Sequence, residues 1–160
     1  MDDLDDRSEA GGAGAFLTAF DALAQAVRRA RGIPTQPSQD ALTLSQYGLL
    51  EGLIEGGQAR VVELANAAGV TPPTATRILD ALERRGIVER RPAPEDRRGV
   101  TVTLTPNGRE LLDTQHEWLR SRQAAFYLEL PAGEQAVVAD LLLRLAGLID
   151  ELAPGPAGCN

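Results

Sequence analysis

GVTPPTATRILDALERRGIVERRPAPEDRRGVTVTLT, residues 69–105, is the stretch whose reading decides the fold. Thr71 stands where a helix N-cap belongs and Pro72 at the first helical position, where its missing N–H costs nothing. Ala75, Ile78, Leu79 and Leu82 fall within a narrow arc of the 3.6-residue wheel, so one face of this helix is predicted to be core. Pro73, Arg77, Asp80 and Arg84 lie on the opposite face. Gly86 follows the last periodic residue, the usual place for a helix to stop. Residues 87–91 and 100–104 are short β-prone runs, and the turn-rich segment 92–99 separates them. Helix, strand, basic loop and strand make a winged helix.

Upstream, the spacing of Leu64, Ala65 and Ala68 predicts a short helix over 60–68, with Gly69 as the tight turn and Val70 plugging the corner. A small residue at 65 and a glycine at 69 suit a helix-turn-helix, in which two helices cross closely and the turn favours positive φ. Thr43-Leu44-Ser45-Gln46 reads as a capping box. It opens a helix with Tyr47, Leu50, Leu53 and Ile54 on its buried side, ended by Gly56-Gly57. Residues 32–41 contain two prolines and no period, so they read as a loop. Phe16, Phe20, Leu23 and Val27 predict a helix from about residue 15 to residue 31. Residues 1–13 read as a disordered acidic leader.

Downstream, Thr105-Pro106 repeats the cap-then-proline start, and a long helix is predicted to residue 128 with Leu111, Leu112, Trp118, Leu119 and Phe126 as its apolar members. Leu130-Pro131-Ala132-Gly133 breaks it. Val138, Leu141, Leu145, Leu148 and Leu152 then recur at steps of three and four, a seam of the kind that buries against a partner helix. A small winged helix has too little surface to cover three long apolar-faced helices. The expected solution is a homodimer, with a helical cap on the same domain as the alternative. The fold class is therefore mainly α with a small β-hairpin wing. A winged helix-turn-helix core over 42–105 is flanked by dimerisation helices over 14–41 and 106–152, and a frayed tail occupies 153–160.

The chain has 160 residues and a net charge of −7, which at first argues against a nucleic-acid partner. Its distribution reverses that. Residues 1–59 carry 4 Arg against 9 acidic groups, 60–109 carry 9 against 6, and 110–160 carry 3 against 8, or −5, +3 and −5. Six arginines (84, 85, 90, 91, 97 and 98) crowd one helix end and one hairpin, as a phosphate-facing surface requires. A solvated surface loop is the other reading of such a run. No apolar run is long enough to span a membrane, and no signal peptide is recognisable at the start. The single cysteine, Cys159, permits no internal disulfide, so a cytoplasmic setting is expected.

Residues 42–112 resemble the MarR family of bacterial transcription regulators. The resemblance is carried by Leu42-Thr43, Glu63-Leu64-Ala65, Thr76-Arg77 with Leu82-Glu83-Arg84-Arg85-Gly86, Val88-Glu89-Arg90, Asp96-Arg97-Arg98 and Leu104-Thr105-Pro106-Asn107-Gly108, in that order. The flanking helices also match. It implies a dimer on pseudopalindromic duplex DNA, with the helix after Thr71 in the major groove and the wing at the minor groove. Arg98 matches the arginine that enters the minor groove, and Asp96 the carboxylate that holds it in a bidentate pair. That pair is equally compatible with merely tightening a turn. Arg97 and Arg91 are placed for phosphate, and Arg84 belongs to the same basic group.

Arg77 is the best base-reading donor, able to fork onto guanine O6 and N7, or else to pair with Asp80 and touch only backbone. Pro73 offers apolar contact to a thymine methyl, and Thr74 and Thr76 are candidates for phosphate or base. The resemblance also implies a small-molecule effector pocket near Tyr47, His116 or Trp118, although ordinary packing accounts for all three and no ligand residues are assigned. An enzyme is the rival class: with one histidine and one cysteine, no acid–base or nucleophile–base pair can be assembled. Neither a zinc set nor a sensing thiol near the first helix is present, so no cofactor or metal is expected. A protein-binding winged helix is the remaining alternative, but it would not need the paired wing arginines.

Overall fold

The computed structural model describes residues 3–35, 41–93 and 100–152, with side chains from residue 12 onward. The chain divides into two compact units, Met1–Ser45 and Gln46–Asn160. In the first, α1 runs Asp3–Ala30, twelve residues earlier than the spacing predicts. The acidic leader expected over 1–13 is therefore helical from Asp3. Ala10, Ala13 and Ala15 have high helix propensity, and glycines at 11, 12 and 14 subtract from it without breaking the helix. After α1 the chain turns back: Thr35 N–H donates to the Leu42 carbonyl at 3.2 Å, and Ser45 N–H to that of Arg31 at 3.2 Å.

The second unit is a mainly helical domain around a small sheet. The predicted second helix is broken into α2, Leu44–Glu51, and α3, Leu53–Gly56. Gly57, at φ +69°, ends it. Then come α4, Val61–Ala67, and α5, Pro72–Arg84. The hairpin is β2, Val88–Pro92, and β3, Val100–Leu104. A strand the sequence does not announce, β1 at Gln58–Arg60, pairs antiparallel with β3 through Ala59 and Val102, so the sheet has three strands in the order β1-β3-β2. Three residues with no apolar alternation carry no strand signal of their own; pairing with β3 makes this one.

α4 and α5 stop in the same way. Gly69 and Gly86 have φ of +62° and +68°. Val70 N–H reaches the Ala65 carbonyl and Gly69 N–H that of Asn66, at 3.0 and 3.1 Å; Ile87 and Gly86 repeat this on Leu82 and Glu83, at 3.0 and 2.9 Å. Both ends are Schellman motifs, which satisfy the last carbonyls and turn the chain sharply. The core collects Tyr47, Leu49, Leu50 and Leu53, Leu64 and Ala65, Ala75, Leu79 and Leu82, then Ile87, Val88, Val102 and Leu112. Burying each leucine fully contributes roughly 1.5–3 kcal/mol. Ile78, Ile54 and Ala68, predicted inside, are only half-buried, while Leu49 is buried although the spacing does not place it there.

Two long helices complete the unit. α6, Pro106–Glu129, begins with Thr105 accepting from Gly108 N–H at 3.0 Å. Thr105 N–H meanwhile donates to the Ile87 carbonyl at 3.0 Å, so the end of the α5 turn and the start of α6 are stitched together. α6 stops at Leu130-Pro131, and α7 runs Ala132–Leu152. No residue of α7 is buried, and Phe126 near the end of α6 is also exposed. Along the α7 seam Leu141, Leu148 and Leu152 are exposed, while Val138 and Leu145 are half-buried.

Candidate nucleic-acid interface

α5 is built to expose one stripe. Ala75, Leu79 and Leu82 anchor its inner face, which leaves Pro73, Thr74, Thr76, Arg77 and Arg84 on the surface. Thr71 holds the N-cap position with extended backbone, but its side chain makes no cap bond. Its hydroxyl lies 2.9 Å from that of Thr74 instead. Arg77 and Arg84 make no hydrogen bond or ion pair among the described residues. The alternative in which Arg77 pairs with Asp80 does not occur.

Asp80 is held from the wing. Arg90, on β2, brings Nη2 to 2.6 Å from Asp80 Oδ1, and its Nη1 bonds Glu83 Oε2. Burial works against the Arg90 charge, but the hydrogen bonds and charges of Asp80 and Glu83 outweigh it, and the pKa lies above its usual value. Of the six clustered arginines, this one is therefore a fastening between helix and sheet. Arg91, one residue on and on the opposite side of the strand, is largely exposed with Glu89 Oε1 at 2.5 Å from its Nη2. An exposed pair of this kind is worth little and is readily exchanged. Asp96, Arg97 and Arg98 lie outside the described residues.

The role of Arg90 was not legible locally, because its partners lie seven and ten positions away on another element. The usable signal was the strand period: if Arg91 faces solvent on β2, Arg90 must face the other way.

A second feature joins α2 and α6. Tyr47 OH is 2.7 Å from His116 Nδ1 and donates to Glu51 Oε1 at 3.3 Å, joining α2 to α6. Burial, and then Glu51, raise the Tyr47 pKa above its ordinary 10.0, with Arg120 opposing. Glu51, Glu55, His116 and Arg120 line an open cleft of about 490 Å³ there. Trp118 is half-buried and does not line it. Among the described residues, no cluster of three or more His, Cys, Asp or Glu could hold a metal, and no helix is long and apolar enough to cross a membrane.

Comparison with known proteins agrees with this geometry. The MarR family model matches residues 42–100. The transcriptional repressor NicR of Pseudomonas putida is 33% identical over 124 residues, 77% of this chain and 78% of its own. A mutant MarR from E. coli, solved in complex with operator DNA, is similar with a TM-score of 0.56 at 31% identity, over 65% of this chain and 75% of that one. BpsR of Bordetella bronchiseptica, whose DNA binding is regulated by 6-hydroxynicotinic acid, gives a TM-score of 0.63 at 26% identity, over 79% of this chain and 91% of its own. With sequence and fold in accord, the chain belongs to the MarR family of winged helix-turn-helix transcriptional regulators.

Proposed function

We propose that the protein is a cytoplasmic homodimer that binds a pseudopalindromic operator in double-stranded DNA and represses transcription until a small effector releases it. The observation that carries this is the α5 stripe: Arg77 and Arg84 stand exposed and uncommitted beside Pro73, Thr74 and Thr76. Placed in a major groove, Arg77 would read guanine and the threonines would take phosphate or base edges. Arg91, Arg97 and Arg98 would grip the backbone and minor groove from the wing, with Asp96 orienting Arg98. The open apolar faces support the dimer: Leu141, Leu142, Leu148 and Ile149 on α7 and Phe126 on α6 are too many to leave in water. NicR lends the sign of regulation and BpsR the effector.

A mobility-shift series on DNA upstream of the protein's own gene tests the proposal. With roughly 6–10 phosphate contacts per dimer, affinity should fall by about 10³–10⁵ between roughly 50 and 200 mM salt. A flat salt profile, or a monomer in sedimentation at micromolar concentration, would contradict it.

A further inference from the structure

The exposed stripe of α5 carries an acid among its bases. Asp80 lies three residues after Arg77 and four before Arg84, the two spacings at which carboxylate and guanidinium meet on a helix. Left to itself, Asp80 would pair with one of them. Neither pair forms, because Asp80 is occupied from outside the helix by Arg90, which holds Glu83 with its other nitrogen. The strand pairing of Arg90 with Val102 keeps it in place. Its side chain is 25% exposed, against 45% and 40% for the two carboxylates, so Arg90 is the anchored member of the trio.

We propose that Arg90 is a positioning residue for DNA binding: by occupying Asp80 it leaves Arg77 and Arg84 uncommitted for the duplex. This rests on the reading of α5 as the DNA-facing helix and adds a role for a residue that need not touch DNA. Without Arg90, Asp80 has two cationic neighbours within reach on its own helix. Whichever arginine it takes must be released again before meeting a base or phosphate. A carboxylate left unpaired there would also face a polyanion.

The test is a cycle of Arg90→Ala, Asp80→Asn and the double variant, titrated by fluorescence anisotropy against a duplex that the wild-type protein selects from a randomised pool. Arg90→Ala should weaken binding roughly three- to thirty-fold, from one exposed ion pair gained in each half of a dimer. Asp80→Asn alone should stay within about twofold of wild type. The double variant should recover most of the loss, since the competing carboxylate is gone. A double variant as weak as Arg90→Ala would overturn the proposal, because a brace or a direct phosphate contact is not restored by removing Asp80. A large loss from Asp80→Asn alone would also overturn it. Should Arg90→Ala unfold, Arg90→Met keeps the packing of the stem and runs the same cycle. A DNA-free crystal structure of the arginine variant tests the mechanism independently: Asp80 should turn onto Arg77 or Arg84, and Asp80 facing solvent refutes the idea. If the wild-type protein selects no duplex, the DNA-facing reading of α5 fails, while this structural arm still judges Arg90.

Discussion

Replacing Gly108 by alanine sets two effects of opposite sign against each other. Alanine is the better helix former by about 0.8–1 kcal/mol, so a helix with room at this position would gain stability. There is no room. A Cβ on Gly108 would lie 1.9 Å from the Ile87 carbonyl oxygen and 2.8 Å from its carbonyl carbon. Reaching even 3.0 Å requires the first turn of α6 and the Ile87 backbone to part by 1.1 Å, the difference between 3.0 and 1.9. No rotamer can absorb that. Ile87 is pinned on both sides, its carbonyl accepting from Thr105 N–H and its own N–H donating to Leu82, each at 3.0 Å. Overpacking costs about 1–3 kcal/mol and occasionally more, and a backbone clash belongs at the upper end. Weakening the Thr105–Ile87 bond adds about 1 kcal/mol. After subtracting the propensity gain, the net loss is about 2–3 kcal/mol. For a chain of this size that lowers Tm by about 5–10 °C. Circular dichroism melts of wild type and Gly108→Ala at matched protein concentration measure it, since self-association shifts Tm. An unchanged or higher Tm in the variant would show that propensity wins and that α6 is not seated against Ile87 as described.

Gly86 poses the converse case, with open space where a Cβ would stand but a φ of +68°. Gly86→Ala should cost about 1–2 kcal/mol from backbone strain alone and Gly86→Asn less, whereas equal melting of all three proteins would argue against the left-handed cap. Arg98→Ala should weaken specific binding by about 1–3 kcal/mol with Tm unchanged; unaltered affinity would assign the Asp96–Arg98 pair to turn structure. Tyr47→Phe should cost about 0.5–1.5 kcal/mol through the lost bond to His116. Because burial and Glu51 raise the Tyr47 pKa, its contribution is complete below the unfolded value near 10.0 and is lost as pH rises through the higher folded one. The variant should lack that alkaline loss, and identical alkaline profiles would contradict the linkage.

What could be read from the chain was whatever is enforced locally. Thr71-Pro72 and Thr105-Pro106 start helices, and Gly69 and Gly86 end them, because a proline at the first helical position and a positive φ are decided within a few residues, although only Thr105 makes the cap bond. Buried Leu64 and Ala65 of α4 and Ala75, Leu79 and Leu82 of α5 followed from the same 3.6-residue period. The misses have non-local causes. β1 exists only because β3 pairs with it. Arg90 looked like one more phosphate-seeking cation, since the carboxylates it holds arrive from the preceding helix through the fold. α1 extends across a glycine-rich start where composition favours a coil. Within the candidate site, the exposure of Pro73, Arg77 and Arg84 was legible from periodicity, Asp80 of the same face is half-buried, and which arginines would be spoken for was not legible.

The charge pattern ties these points together. A chain of net charge −7 that carried its arginines evenly would be repelled by DNA in every orientation. Here residues 60–109 hold +3 while residues 1–59 and 110–160 hold −5 each. Asp80, Glu83 and Glu89 are acids on the α5–β2 face, and each lies against an arginine of β2 that the sheet positions. Arg77 and Arg84 are left without an acid of their own. If α5 faces DNA as proposed, β2 serves recognition by withdrawing the anions that would otherwise consume the cations of the helix.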